Sequence, residues 1–141
     1  MPEPEDVVEL ALTGVDLSAT WVDPPTATVG LVPVTGGARI EIVMSRVDGQ
    51  FLQEALSGAP PPRPRTHDLL LAVVLALGGE VTAVVLTEKR EDGLFVAAVS
   101  VKRADGSEVQ LDARPSDAIN VAVRAPSAVL YARREVLEGL S

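Results

Sequence analysis

Two short segments hold most of the side chains that could do chemistry: Arg63-Pro64-Arg65-Thr66-His67-Asp68-Leu69 and Asp112-Ala113-Arg114-Pro115-Ser116-Asp117-Ala118-Ile119. His67 is the only histidine, and with no cysteine in the chain it is the one side chain that ordinarily titrates near neutral pH. Asp68, Asp112 and Asp117 offer hard oxygen ligands suited to magnesium or manganese and unsuited to a soft metal. Arg63 and Arg114 carry the forked guanidinium that fits a phosphate, and Ser116 adds a hydroxyl beside them. Carboxylates for a divalent metal, a base for water and cations for phosphate charge together make the inventory of a phosphodiester hydrolase.

Each of these residues also has a plainer role. Asp68 and Asp117 fall in the first turns of expected helices, where the dipole stabilises a carboxylate by about 0.3–1 kcal/mol without any ligand. Arg114 can pair internally with Asp112 or Asp117. His67 can be a hydrogen-bonded structural histidine and Ser116 a helix cap, since no nucleophile arrangement of recognisable spacing surrounds it. The glycine pairs Gly36-Gly37 and Gly78-Gly79 fit neither the Walker nor the dinucleotide pattern.

The elements that carry these segments can be read from periodicity and turn chemistry. An opening strand runs from Val7 to near Gly14. Thr26 to Val34 and Ala38 to Met44 form a hairpin about Thr35-Gly36-Gly37. Ser45 caps a helix with Asp48 in its first turn and Gly58 at its end. Residues 59–65 form a stiff proline-rich connection. A second helix, Thr66 or so to Leu77 with Thr66 as its cap, is apolar nearly all round and so is expected to be the most buried. Three strands follow, Glu80–Thr87, Leu94–Lys102 and Glu108–Asp112, joined by Asp-Gly turns at 92–93 and 105–106. A short helix from about Ser116 to Arg124, a strand near 128–131 and a helical turn complete the chain. The fold class expected is α+β, a mostly antiparallel sheet with two or three short helices. A possible internal duplication is suggested by Arg-Pro, a cap, a first-turn aspartate, an apolar helix and a strand, which occur twice.

Composition bounds the rest. A chain of 141 residues and 14.8 kDa fits an acidic N-terminal extension, 1–6, and one domain over 7–141. The lack of cysteine excludes disulfides, zinc–thiolate sites and iron–sulfur clusters. A net charge of −8 disfavours polyanions and anionic membranes overall, and 3% aromatic residues make a base-stacking platform improbable. No stretch reads as a secretory signal or a membrane span, which suggests a cytoplasmic protein. Val81, Val84, Val85 and Leu86, with Leu94, Val96, Val99 and Val101, put apolar residues on both faces of neighbouring strands, and a homodimer is the expected way to cover them.

The two chemical segments, in this order and separated by a strand meander, resemble the bifunctional nuclease family. That family carries a PRPxTHDL stretch, here Pro62 to Leu69, a DG turn, and a DARPSDAIxLAxR stretch, here Asp112 to Arg124. It also carries LPIxIGxxEA before its first helix; here Ile40 to Gly49 keeps the strand and helix, with Ser45 for the glycine and Asp48-Gly49 for Glu-Ala. The resemblance covers about residues 7–138. It implies an α+β domain that cleaves DNA and RNA non-specifically, and the residue inventory adds a divalent metal, magnesium or manganese, to that expectation. Asp68, Asp112 and Asp117 are expected to be the carboxylates of the site and its metal ligands, His67 a base or ligand, and Arg63, Arg114 and Ser116 the phosphate-binding side. The alternative is a non-catalytic binding or regulatory module in which the same residues form a structural polar cluster.

Overall fold

In a computed structural model, residues 5–19, 21 and 23–139 are described, and every strand among them joins one seven-stranded sheet. The elements are β1 (Val7–Asp16), β2 (Thr26–Pro33), β3 (Ile40–Ser45), α1 (Arg46–Leu56), α2 (Thr66–Ala76), β4 (Glu80–Lys89), β5 (Phe95–Lys102), β6 (Glu108–Ala113), α3 (Pro115–Ala122), β7 (Val129–Arg133) and α4 (Arg134–Glu138). The strand order is β3-β2-β1-β7-β4-β5-β6. Of the expected extension at 1–6, only Glu5 and Asp6 lie within the described residues, and the Asp6 carbonyl accepts the Arg134 N–H at the start of α4.

Local chemistry explains most boundaries. The β2–β3 hairpin pairs Val29 with Ile42 and Leu31 with Ile40, which sets the alternating apolar side chains of β3 on the core. Asp-Gly turns join β4 to β5 and β5 to β6, with Gly93 at φ 86° and Gly106 at φ 89°, values that a side chain would resist. The α+β class holds, but the expectation of a mostly antiparallel sheet needs correcting. The sheet is mixed, because β7 enters between β1 and β4, antiparallel to β1 and parallel to β4. No Asp-Gly turn could reveal this, since the two parallel strands are joined through β5, β6 and α3. Among the described residues there are four helices, one or two more than expected. What the two echoing segments share is the start of a helix; a wider repeat is not shown among the described residues.

Two expectations about burial fail. The core beneath the sheet is closed by α1 and α3, through Leu52, Ala118, Ile119 and Val121 against Val29, Leu31, Val84, Leu86 and Val99. Although apolar all round, α2 lies to one side, with His67 its single buried residue and Leu71 and Val74 partly covered. The helix expected to be the most buried is thus the most exposed of the apolar ones. Nor does β4 leave both faces open, because α3 packs on one side and α4 on the other, where Val85 and Val136 are buried. β4 therefore contributes no open face to the homodimer expected over β4 and β5, while Leu94 beside β5 stays 60% exposed.

Candidate active site

Both chemical segments fold into helix starts. In each, an arginine (Arg65 or Arg114) is the cap residue in extended conformation and an aspartate (Asp68 or Asp117) is the third helical residue. Neither Thr66 nor Ser116 is the cap. Pro115 is preorganised for the first helical position and draws the start of α3 forward, while the Asp68 carboxylate accepts the Arg65 N–H at 2.7 Å and fixes the start of α2. Ser45 does cap α1, its hydroxyl accepting the Asp48 N–H at 3.1 Å.

The two helix starts meet through His67. Its Nε2 lies 3.4 Å from Asp117 Oδ1, while its Nδ1 is buried with no hydrogen-bond partner among the described residues. Arg114 grips the same carboxylate in a fork, Nε donating to Oδ2 at 2.9 Å and Nη2 to Oδ1 at 3.0 Å. The Arg114 guanidinium first, and His67 to a lesser degree, hold Asp117 below the usual carboxylate range against the opposing effect of partial burial. The same pairing raises the Arg114 pKa. Asp117 is therefore an anion and Arg114 a cation at neutral pH. With its side chain 69% exposed, Arg114 keeps three of its five N–H donors outside that fork.

Arg114, Pro115 and Ser116 form one wall of an open groove of about 680 Å³. Asp112 and Ala113 at the end of β6, Ser45 and Asp48 at the start of α1, residues 41–44 of β3 and the β4–β5 turn complete it. The groove thus lies between strands at opposite edges of the sheet, β3 and β6, which the curl of the sheet brings to face each other. Asp112 and Ser116 both line it. Ser116 is buried, and its carbonyl accepts a hydrogen bond from Asn120 Nδ2 at 2.9 Å.

Asp68 and Arg63 do not line it. Asp68 Oδ1 accepts from Arg124 Nε at 3.2 Å, so both carboxylate oxygens are engaged by the protein. Arg63, in the proline-rich connection, is exposed and makes no hydrogen bond or ion pair among the described residues. Asp68, Asp112 and Asp117 do not gather. Among the described residues no group of three or more histidine and carboxylate side chains could hold a metal ion. With Asp68 bound by Arg124 and Arg65, and Asp117 by Arg114, the expected triad does not fit a shared divalent cation as it stands.

Two further residues escaped the sequence reading. Arg124, 8% exposed at its side chain, donates to Asp68, to the Asn120 carbonyl and Oδ1 at 2.8 and 2.9 Å, and to the Phe51 carbonyl at 3.0 Å. Asn120, fully buried, also donates to the Asp48 carbonyl at 3.2 Å. One guanidinium thereby ties α1, α2 and α3 together behind the groove. Their signal was a polar residue every fourth position, Ser116, Asn120 and Arg124, along one side of α3 and the turn just past its end. Arg65 adds a second tie, pairing with Glu54 at 3.1 Å and lying over the Phe51 ring at 5.1 Å.

Known sequences carry the same framework. Over 80 residues the chain is 35% identical to an uncharacterized protein of Mycobacterium tuberculosis, covering 57% of this chain and 45% of that protein. Over 89 residues it is 32% identical to bifunctional nuclease 1 of Arabidopsis thaliana, and equally to bifunctional nuclease 2, covering 62% of this chain and 27% of each. The chain thus aligns with less than half the length of these relatives. The sequence profile of the bifunctional nuclease domain matches residues 31–141, which take in α1, both helix starts, the meander between them and every wall of the groove. On that match, the chain belongs to the bifunctional nuclease domain family.

Proposed function

We propose that this chain hydrolyses phosphodiester bonds of DNA or RNA in the groove between α1, α3 and β6, as a cytoplasmic enzyme. The observation that carries the proposal is the Arg114 guanidinium, fixed by Asp117 at the edge of an open groove with donors to spare. A phosphate bound there would meet a cation that is already oriented, so its developing negative charge is stabilised without reorganisation. His67 acts as a positioning residue, because its Nε2 faces Asp117 and its ring is buried. Asp112, exposed in the same groove, is the carboxylate that would take a proton from the attacking water as its oxygen bonds to phosphorus and the leaving oxygen departs. Ser116 would contact the phosphate and Arg63 the flanking backbone.

The experiment is incubation of the purified chain with single- and double-stranded DNA and RNA, with and without EDTA, beside Arg114→Ala, Asp112→Asn and His67→Ala. Cleavage by the wild type that falls sharply in Arg114→Ala and Asp112→Asn supports the reading. Cleavage unchanged in both would sink it, and loss of cleavage in EDTA with recovery on added magnesium or manganese would establish the metal.

A non-catalytic nucleic-acid-binding or regulatory module is the second reading. The internal saturation of Asp68 by Arg124 and the Arg65 N–H favours it, since that carboxylate has no oxygen left over for substrate chemistry. It predicts binding of oligonucleotides that Arg114→Ala weakens, with no cleavage in any condition.

A further inference from the structure

The outward face of α2 is apolar surface that nothing in the fold explains. Residues 69–77 contain no polar side chain, and Leu69, Leu70, Val73, Leu75 and Leu77 are 47–76% exposed. Ala72 and Ala76 are exposed among them. We propose that this face is a homodimer interface, α2 of one copy packing antiparallel against α2 of a second copy about a two-fold axis.

Three observations point to a second copy as the occupant. The first is area. Leu69, Leu70, Val73 and Leu77, with Ala72 and Ala76 beside them, present on the order of 500 Å² per copy, so burying the face on two copies removes roughly 1,000 Å², where specific interfaces begin. The second is chemistry. A face with no charge and no hydrogen-bonding group offers nothing to nucleic acid or to a charged partner, and an apolar face is complementary to itself under two-fold symmetry. The third is shape. Leu69, Val73 and Leu77 recur every fourth residue and form one ridge, so an antiparallel mate places Val73 on the axis and Leu69 beside Leu77 of the second copy. The net charge of −8 opposes association only at long range, and physiological salt screens it over about 8 Å. This interface is separate from the groove and would hold α2, the helix that carries His67 to Asp117, from its outer side.

Sedimentation equilibrium on the full chain over micromolar concentrations, at low and high salt, tests the proposal. The expected mass is twice 14.8 kDa, unweakened by salt, and Val73→Glu should return 14.8 kDa with a wild-type circular dichroism spectrum. Val34→Glu, exposed on the β2–β3 turn, should leave the dimer intact. Because the chain has no cysteine, Val73→Cys offers a second, milder variant: a short bis-maleimide should join two copies at Val73→Cys and not at Val34→Cys. A wild type of 14.8 kDa at every concentration would overturn the proposal and assign the face to another occupant. So would a dimer that survives Val73→Glu, or a folded Val73→Cys that fails to cross-link.

Discussion

Asp68 and Asp117 hold the same third position in two helices that both begin from an arginine cap, yet the guanidinium that meets each comes from a different place. Asp117 is gripped by its own cap, Arg114, three residues earlier and largely in solvent. Asp68 is met by Arg124, fifty-six residues later and almost fully buried. The first pair is local, exposed and open to a ligand. The second is long-range, its guanidinium is buried, and it is already satisfied by protein. The same local chemistry therefore yields a binding group in one helix start and a structural clamp in the other, and the difference lies wholly in what each faces.

Removing the clamp should do the most damage. Arg124→Ala leaves Asp68 Oδ1, the Asn120 side-chain oxygen and two carbonyls without this donor, and each buried acceptor so stranded costs about 1–3 kcal/mol. Urea denaturation should show that loss, whereas Arg114→Ala should cost under about 1 kcal/mol, because its pair is exposed. Equal losses in the two variants would erase the contrast between the helix starts.

The contrast should invert for activity. Under the nuclease proposal, Arg114→Ala removes a preorganised donor, which typically lowers turnover by about 10²-fold or more. Single-turnover cleavage of a labelled oligonucleotide measures it. A folded Arg114→Ala variant with wild-type turnover would move the site away from α3.

A smaller effect tests how α1 is held over the groove. Where the family pattern has alanine, this chain has Gly49, buried against β2, and a Cβ there would lie 2.3 Å from the Ala27 Cβ. Gly49→Ala should therefore cost about 1–3 kcal/mol through overpacking, read from the urea midpoint. Gly49→Ala combined with Ala27→Gly should recover most of it.

The smallest expected effect is in pH. Asp117 titrates lower in the folded chain than in the unfolded one, so the unfolded state binds protons first as pH falls. Its contribution to stability is complete above the ordinary aspartate value of about 3.9 and is lost as pH falls through the depressed folded value. The stability difference between wild type and Asp117→Asn should be flat at neutral pH and shrink in acid. A difference that grows in acid would contradict the Arg114 fork.

Much of this was legible in the chain itself. The β2–β3 hairpin, the Ser45 cap with Asp48 and the two Asp-Gly turns rest on contacts within a few residues, so residue type and spacing sufficed, while α2 and α3 each begin from an arginine one or two residues before the Thr66 and Ser116 caps expected. The gathering of Arg114, Asp117 and His67 was half legible, because Arg114 and Asp117 are neighbours on one turn while His67 lies fifty residues away. Arg124 was not legible as the partner of Asp68, since periodicity places a residue on a helix face without saying which helix that face meets.

By itself, then, the sequence determined the elements, their starts and stops, the family, and the stock of acids, arginines and one histidine. Tertiary structure decided that β7 runs parallel beside β4, that α2 stands outside the core with its leucines bare, and that the arginine meeting one aspartate is buried while the arginine meeting the other edges a groove. The physical reason is range. Capping, turn geometry and amphipathic spacing act over one or two turns of chain. Burial and ion pairing depend instead on which distant surfaces compete for the same face of the sheet, and α1 and α3 occupied that face between them.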